Sequence, residues 1–580
     1  MNRKQRRATL KHGSRIAARP SDSDPSQIDR SFVDAVRLES GGKLNDAVRA
    51  YKRVLLLDPD HAEACNNLGR TLQALGKMTD ASVFYARALT LRPQLMQQYA
   101  GVCGTLVSLL PALEQAARQQ AAAWPTRLTE TQLFGGSGLN AIAGDHLLLV
   151  LLQSTPVRDV AFEQLLTALR ASLLSDAGKA VSDTVLGFAC TLARQCFINE
   201  YVFATTSDED VQVEGLNQDL DEALARGGSI NAMQLSVFAM YRPLHMLASA
   251  SMLLERSWPT AIDELLTQQL REPAEERRLR DSIPCLTAIE DETSRKVRQQ
   301  YEENPYPRWV HVPGQVTPMP IDHYLRSQFP TAAFVPLGKV DGVDMLVAGC
   351  GTGQAVTSVQ RYSGVQALAI DLSLGSLCYA SRMTPPELSS RIEYAQADIL
   401  KLASIGRSFD VIEACGVLHH MADPLEGWRI LLTLLRSGGL MHLAFYSNAG
   451  RSDVAAAHAF IAERGFGSTP NEIRRCRQEL LNTPLASVTR FTDFFTTSEC
   501  RDLLFHVHEA RITIPAIKAF IREQGLKFIG FEFELPFLQR YRAEFSALGW
   551  SMSDLDRWQE LETKYPNTFS GMYQFWVQKT

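Results

Sequence analysis

The sequence predicts a multidomain α + α/β protein, with a helical amino-terminal half and an open, mainly parallel sheet in the carboxy-terminal half. Three observations carry this expectation. A helical pattern recurs with a period of 34 across residues 31–95. Residues 344–371 read as strand, glycine turn, helix, strand and acid in direct succession. Further short apolar runs then alternate with helical stretches, the order expected of parallel strands joined by crossover helices.

At 580 residues the chain is too long for a single core. The expected division is a basic, disordered leader at 1–29, helical repeats at 30–110 and an all-helical domain at 111–290. A connector at 291–335 and a sheet domain at 336–580, with a helical cap at 447–525, complete it. A net charge of −5 gives no overall attraction to nucleic acid or anionic membrane. The longest apolar stretch, 147–152, is far too short to span a bilayer. The ten cysteines include no Cys-x-x-Cys pair, which points to reduced thiols in the cytoplasm and to no zinc or other metal site.

The leader holds Arg3, Lys4, Arg6, Arg7, Lys11, Arg15 and Arg19 and no acid before Pro20. It reads as a solvated tail, or as an electrostatic tether to RNA or an acidic partner. In the repeats Ala35 matches Gly69, Ala47 matches Ala81, Tyr51 matches Tyr85 and Pro59 matches Pro93. Small residues stand where helices cross, aromatics fill the gap, and proline stops the second helix. That is the tetratricopeptide pattern. Two repeats leave apolar faces uncovered, so the array is expected to lean on a helix at 95–110 and the domain beyond. It can bind a protein or peptide, or serve as a docking or dimer module.

Helices are expected at 146–152, 161–174, 183–201, 230–254 and 261–270, with no catalytic constellation among them. The glycine-rich stretch 135–138 lacks the Lys-Ser or Lys-Thr of a phosphate loop. Residues 277–299 read as a charged, partly helical connector. Residues 301–309 combine three aromatics, two prolines and an arginine in a stiff extended segment. Either a domain-joining strap or a lid fits, and Tyr301, Asn304, Tyr306 and Arg308 are its candidate substrate residues.

The turn at Gly349, Gly351 and Gly353 lets the backbone approach a ligand closely. Gln354 occupies the place of the sixth-position glycine of a dinucleotide fingerprint, so the alternating form sets this turn apart. Asp371 ends the second strand, where a carboxylate can accept both hydroxyls of a ribose. Strands follow at 392–395, 409–414, 440–445 and 526–533, and a last, antiparallel one at 571–578. Asp398 follows the third strand, where it can accept from an exocyclic amine while the Ile399 backbone meets the ring edge.

The five stretches 348–353, 371, 397–399, 409–420 and 436–440, in order and at this spacing, resemble the class I S-adenosylmethionine-dependent methyltransferases. The resemblance covers residues 335–450 and departs at Ser437, where that family usually has proline. With the repeats and the 301–309 block, the chain also resembles a bacterial group that fuses tetratricopeptide repeats to such a domain. The resemblance implies a Rossmann-like, seven-stranded domain and S-adenosyl-L-methionine as cofactor. It implies that Gly349, Gly351, Thr352 and Gly353 pass under the methionine part, Asp371 and Leu372 meet the ribose, and Asp398 and Ile399 meet the adenine, with Cys415 near the methionyl end.

His419 is the candidate base or orienter, against a plain packing histidine. His506 and His508 lack a carboxylate at ligand spacing, and on a helix their rings would diverge. The expected activity is in-line methyl transfer to an oxygen or nitrogen acceptor, a protein side chain or a small molecule. A non-catalytic adaptor and an RNA methyltransferase steered by the leader are the other readings.

Overall fold

A computed structural model describes residues 25–93, 95, 107–312, 317–533 and 551–580. The basic leader up to residue 24 and most of the helix expected at 95–110 lie outside the described residues. The chain divides into two compact units, the repeats and the remainder.

The first unit contains the helices Pro25–Ser40, Leu44–Leu57, Ala62–Ala74 and Met78–Leu91. The first begins within the stretch assigned to the leader, because 25–29 already continues its amphipathic pattern. Gly42 and Gly76, one period apart and both at φ +73°, turn the chain within each helix pair. A Cβ on Gly69 would come within 3.1 Å of the Tyr85 ring, which is why the crossing demands a small residue there. Tyr51 donates to Glu39 Oε2 at 2.6 Å and Arg70 Nε donates to Oε1 at 2.8 Å, tying the two repeats through one carboxylate.

The second unit is built on a seven-stranded sheet in the order β3-β2-β1-β4-β5-β7-β6. Its strands are β1 Val343–Ala348, β2 Val365–Asp371, β3 Ile392–Gln396, β4 Phe409–Cys415, β5 Leu435–Phe445, β6 Leu526–Phe531 and β7 Tyr573–Lys579. The first five pair in parallel and β7 runs antiparallel between β5 and β6. β1 and β4 are neighbours, so the strand order reverses there and a crevice opens at the carboxyl ends. Trp428 packs under the sheet against Phe520, their rings 4.1 Å apart. The helix Ile514–Glu523 therefore belongs to the sheet's core, and the cap ends sooner than 525.

Three expected elements differ. The charged connector contributes an extended segment: Gln396 N donates to the Pro284 carbonyl and Leu286 N to the Gln396 carbonyl, extending the sheet beyond β3. Pro284 has no N–H, so it suits such an edge. The expected helix at 230–254 ends at Ala239, because Pro243 interrupts it, and short 3₁₀ turns follow. The glycine-rich stretch forms short 3₁₀ turns on either side of a kink at Gly138, φ +49°.

The cap helices Ser452–Arg464, Pro470–Leu481 and Thr497–Phe505 form a core of their own, with Val160 of the helical half packed against it. Arg477, fully buried, grips Glu163 bidentately at 3.1 and 2.8 Å and also donates to the Val202 and Phe494 carbonyls. Arg158 reaches Glu499 at 3.1 Å. The cap is thus seated on the helical domain as well as on the sheet.

Candidate active site

A cavity of about 380 Å³ opens at the carboxyl ends of β1, β2, β3 and β4. Gly349, Gly351, Gly353, Asp371, Leu372, Asp398, Ile399 and Cys415 all line it, as do Tyr301 and Tyr306. Asp371 anchors the floor. Its Oδ2 accepts from Gly351 N at 2.9 Å and its Oδ1 from Ser373 N at 2.8 Å, which leaves lone pairs on both oxygens for a ligand. Burial, and to a smaller degree nearby Glu302, raise its carboxyl against the lowering effect of those N–H donors, and the balance lies at about 6.

Asp398 closes the opposite side. Its Oδ1 caps Leu400 N at 3.0 Å, while its Oδ2 is buried with no hydrogen-bond partner. An orphaned carboxylate oxygen in a cavity wall asks for a donor from a ligand. An adenine exocyclic amine would satisfy it, and Asp371 has the two acceptor oxygens that a pair of vicinal hydroxyls would need. Neither acid forms an ion pair among the described residues. The site therefore fits S-adenosylmethionine.

The glycine turn is explained by protein neighbours too. A Cβ on Gly349, at φ +70°, would meet the Val417 side chain at 2.3 Å. One on Gly351, at φ +52°, would meet the Tyr306 carbonyl at 2.8 Å. Their backbone conformation, with Val417 beside Gly349 and the strap above Gly351, requires glycine at both.

That strap is residues 301–309, and it is less uniformly extended than the prolines suggested. Tyr301 and Glu302 belong to the helix Glu292–Glu303, whose Ser294 and Val297 also wall the cavity. Glu302 accepts from Leu374 N at 2.6 Å and Ser373 Oγ donates to the Tyr301 carbonyl at 3.0 Å, fastening the helix end to the turn after β2. Trp309 Nε1 donates to the Thr352 carbonyl at 2.8 Å, and Thr352 Oγ1 donates to the Pro307 carbonyl.

Four expected site residues stand elsewhere. Thr352 is fully buried and holds the strap instead of facing the cavity, since Pro307 and Trp309 take both its polar groups. Asn304 accepts from Arg501 Nη1 at 2.7 Å, outside the cavity. Arg308 lies between the Phe197 and Tyr379 rings with Glu200 3.7 Å away, an anchor to the helical domain. His419 is buried behind the wall against Tyr446, ring centroids 3.9 Å apart, with no hydrogen-bond partner on either nitrogen. Burial, with His420 and His506 nearby, holds its imidazole well below the usual range.

His420, one residue on, lines the cavity in its place. Its Nδ1 lies 3.1 Å from the His508 carbonyl, which can only accept, so Nδ1 carries the proton and Nε2 keeps its lone pair. Burial lowers its basicity, with Asp502 and the His508 carbonyl pulling the other way. Asp502, from the cap helix, lines the same end and accepts from Tyr301 Oη at 2.6 Å. His506, one helical turn beyond Asp502, stacks on His420 at 3.6 Å. Asp502 is thus a carboxylate beside His506 that the His506 and His508 spacing did not reveal. The only sequence signal for it was the i, i+4 relation of Asp502 to His506.

Residues 346–443 match the family model of a methyltransferase domain, and residues 39–104 that of a tetratricopeptide repeat. The chain joins tetratricopeptide repeats to a methyltransferase domain. It is 27% identical over 305 residues to an uncharacterized protein of Synechococcus, covering 48% of this chain and 65% of that one. A ubiquinone biosynthesis O-methyltransferase of Albidiferax ferrireducens is 28% identical over 185 residues, 32% of this chain and 70% of the enzyme. Among solved structures, PKMT2 of Rickettsia typhi aligns at 15% identity with a TM-score of 0.34, covering 44% of this chain and 52% of that one. Among the described residues no single helix is long and apolar enough to cross a membrane.

Proposed function

We propose that residues 336–580 transfer a methyl group from S-adenosylmethionine to an oxygen or nitrogen acceptor seated under the cap. The buried, unpartnered Asp398 Oδ2 facing a cavity that runs from Asp371 to His420 carries this reading. When bound, the cofactor supplies an activated sulfonium methyl. Asp371 would hold the ribose hydroxyls and Asp398 the adenine amine. Tyr301, Tyr306 and Tyr446 wall the far end, where a cation at a desolvated ring face gains up to about 2 kcal/mol. With the donor already activated, positioning in a dry site is the main contribution, worth about 7–11 kcal/mol. His420 Nε2 is the group placed to take a proton from the acceptor.

The name of the ubiquinone biosynthesis enzymes describes an oxygen acceptor and favours a small molecule. The repeats favour a protein or peptide partner. Labelled methyl from the cofactor, offered to whole-cell extract and fractionated by size, separates these acceptors and nucleic acid in one pass. Label in none of the fractions, with no cofactor heat in calorimetry, would leave the adaptor reading.

A further inference from the structure

The acceptor end of the cavity contains a carboxylate, Asp502, that forms no ion pair among the described residues; Arg451, whose charge favours its ionised form from a distance, is itself bound to Glu509. Asp502 is 2% exposed and lines the cavity. Its recorded hydrogen bond is from Tyr301 Oη at 2.6 Å. The Tyr301 and Tyr306 rings stand beside it, 6.4 Å apart and inclined by 26°. A buried carboxylate without a countercharge is costly unless a ligand brings the charge. Aromatic faces beside a carboxylate form an enclosure suited to an ammonium group.

The polar atoms of Asp502, His420 and His506 lie within 4.8 Å of one another, so a metal ion must be weighed. The hydrogen bonds argue against it. His508 N donates to His506 Nδ1 at 3.1 Å, so the neutral ring carries its proton on Nε2 and donates it to Tyr301 Oη, 3.2 Å away. His506 then has no lone pair left to give a metal. The Tyr301 hydroxyl in turn donates to Asp502 Oδ1, so this chain of bonds keeps Asp502 an acceptor.

We infer that the acceptor is a primary amine, held as its ammonium ion by Asp502 and the ring faces of Tyr301 and Tyr306. This rests on the methyltransferase reading above. Asp502 holds R–NH3⁺, and His420 Nε2 takes one proton to leave the nitrogen lone pair. That pair forms the C–N bond as the methyl C–S bond breaks, its electrons staying on sulfur. The product is R–NH2⁺–CH3, and His420 releases its proton to solvent. A carboxylate acceptor would meet like charge, and an alcohol would leave Asp502 uncompensated.

The test uses the full-length protein saturated with S-adenosylhomocysteine, after calorimetry has established that it binds. Butylammonium, 1-butanol and butyrate are then compared by saturation-transfer NMR. The expected result is binding of butylammonium alone, weakened at least tenfold in Asp502→Asn, with that variant's affinity for S-adenosylhomocysteine and melting temperature within error of the parent. Equal binding of butanol or butyrate, binding of none of the three, or an unchanged Asp502→Asn would overturn the amine assignment. Absence of S-adenosylhomocysteine binding would instead sink the methyltransferase reading, and the ammonium comparison is then read on the cofactor-free protein.

Discussion

The two ends of the cavity are built in opposite ways. At the end of Asp371 and Asp398, the groups come from consecutive strand tips and are fixed by local backbone bonds such as Gly351 N and Ser373 N to Asp371. At the end of His420 and Asp502, each side chain arrives on a different segment. Tyr301 reaches Asp502 across 201 positions and His420 reaches His508 across 88. The acids of the first end come with the sheet itself, although Ser294, Val297 and the strap complete its wall. The second exists only while the cap and the 301–309 strap are docked. One scaffold can therefore keep its cofactor site while the acceptor site is set by how the cap sits.

The largest break in that comparison is at the cap's seat. Arg477→Ala leaves Glu163 buried without its cation and also removes donors to the Val202 and Phe494 carbonyls. Breaking such a pair costs about 3–5 kcal/mol. The urea midpoint should fall accordingly, and turnover should suffer more than cofactor affinity. Replacing Arg477 and Glu163 together by apolar residues of similar volume should recover much of the stability. A double variant no better than the single one would deny that the uncompensated charge is the cause.

Asp371→Ala attacks the other end. Two charge-assisted bonds to a ribose are worth about 3 kcal/mol together, so affinity for S-adenosylhomocysteine should drop roughly a hundredfold in calorimetry. The cap should stay seated, because no cap contact passes through Asp371. Cap loosening in hydrogen exchange of this variant would show the two ends to be coupled.

This asymmetry also governs what could be read from the chain. The alternating glycines, Asp371 and Asp398 are separated by strand and helix lengths that the sheet fixes, so their convergence followed from topology. Repeat geometry was legible for the same reason, since Gly69 under Tyr85 is a local consequence of a 34-residue period. No spacing in the chain relates Asp502 to Tyr301, because only tertiary docking brings them together across 201 positions. The choice between His419 and His420 turned on which side of one 3₁₀ turn, Leu418–His420, faces the crevice. A run of two identical residues contains no information on that. Residues 283–287 read as connector because a short edge segment has too few residues to show a period.

Beneath both ends lies a buried polar cluster that should set the pH range of the sheet. His442 stacks on Trp576 at 4.6 Å and stands 3.4 Å from Glu532 and 3.7 Å from Glu413. Burial lowers the His442 imidazole, but Cys415, Glu532 and Glu413 outweigh it and hold it well above the usual range. Burial raises Glu532, but His442 and the bonds from Trp576 and Tyr324 bring it down to about 2. A depressed carboxyl stabilises the fold above its unfolded pKa of about 4.3 and loses that contribution as pH falls toward 2. The raised histidine contributes below its unfolded pKa of about 6.5 and loses the contribution as pH rises through its folded value. Stability from this cluster should thus be greatest between those limits. On the acid side it should fall by on the order of 2 kcal/mol, a slope that Glu532→Gln reduces in urea titrations at stepped pH, the remainder belonging to Glu413, which His442 and Ser358 also hold low against its burial.

The smallest expected effect is the most discriminating. Tyr301→Phe keeps the ring that walls the cavity and deletes one hydroxyl, the link between His506 Nε2 and Asp502. A hydrogen bond to a charged group is worth about 1.5–3 kcal/mol, and solvent entering the cavity can replace part of it. A loss of about 1–2 kcal/mol in kcat/KM is therefore expected, roughly tenfold. Cofactor affinity should not move, because the hydroxyl lies at the end away from Asp371 and Asp398. If Tyr301→Phe weakened S-adenosylhomocysteine binding as much as turnover, the hydroxyl would be serving the cofactor end. The division between a sheet-made half and a cap-made half would then be wrong at its boundary.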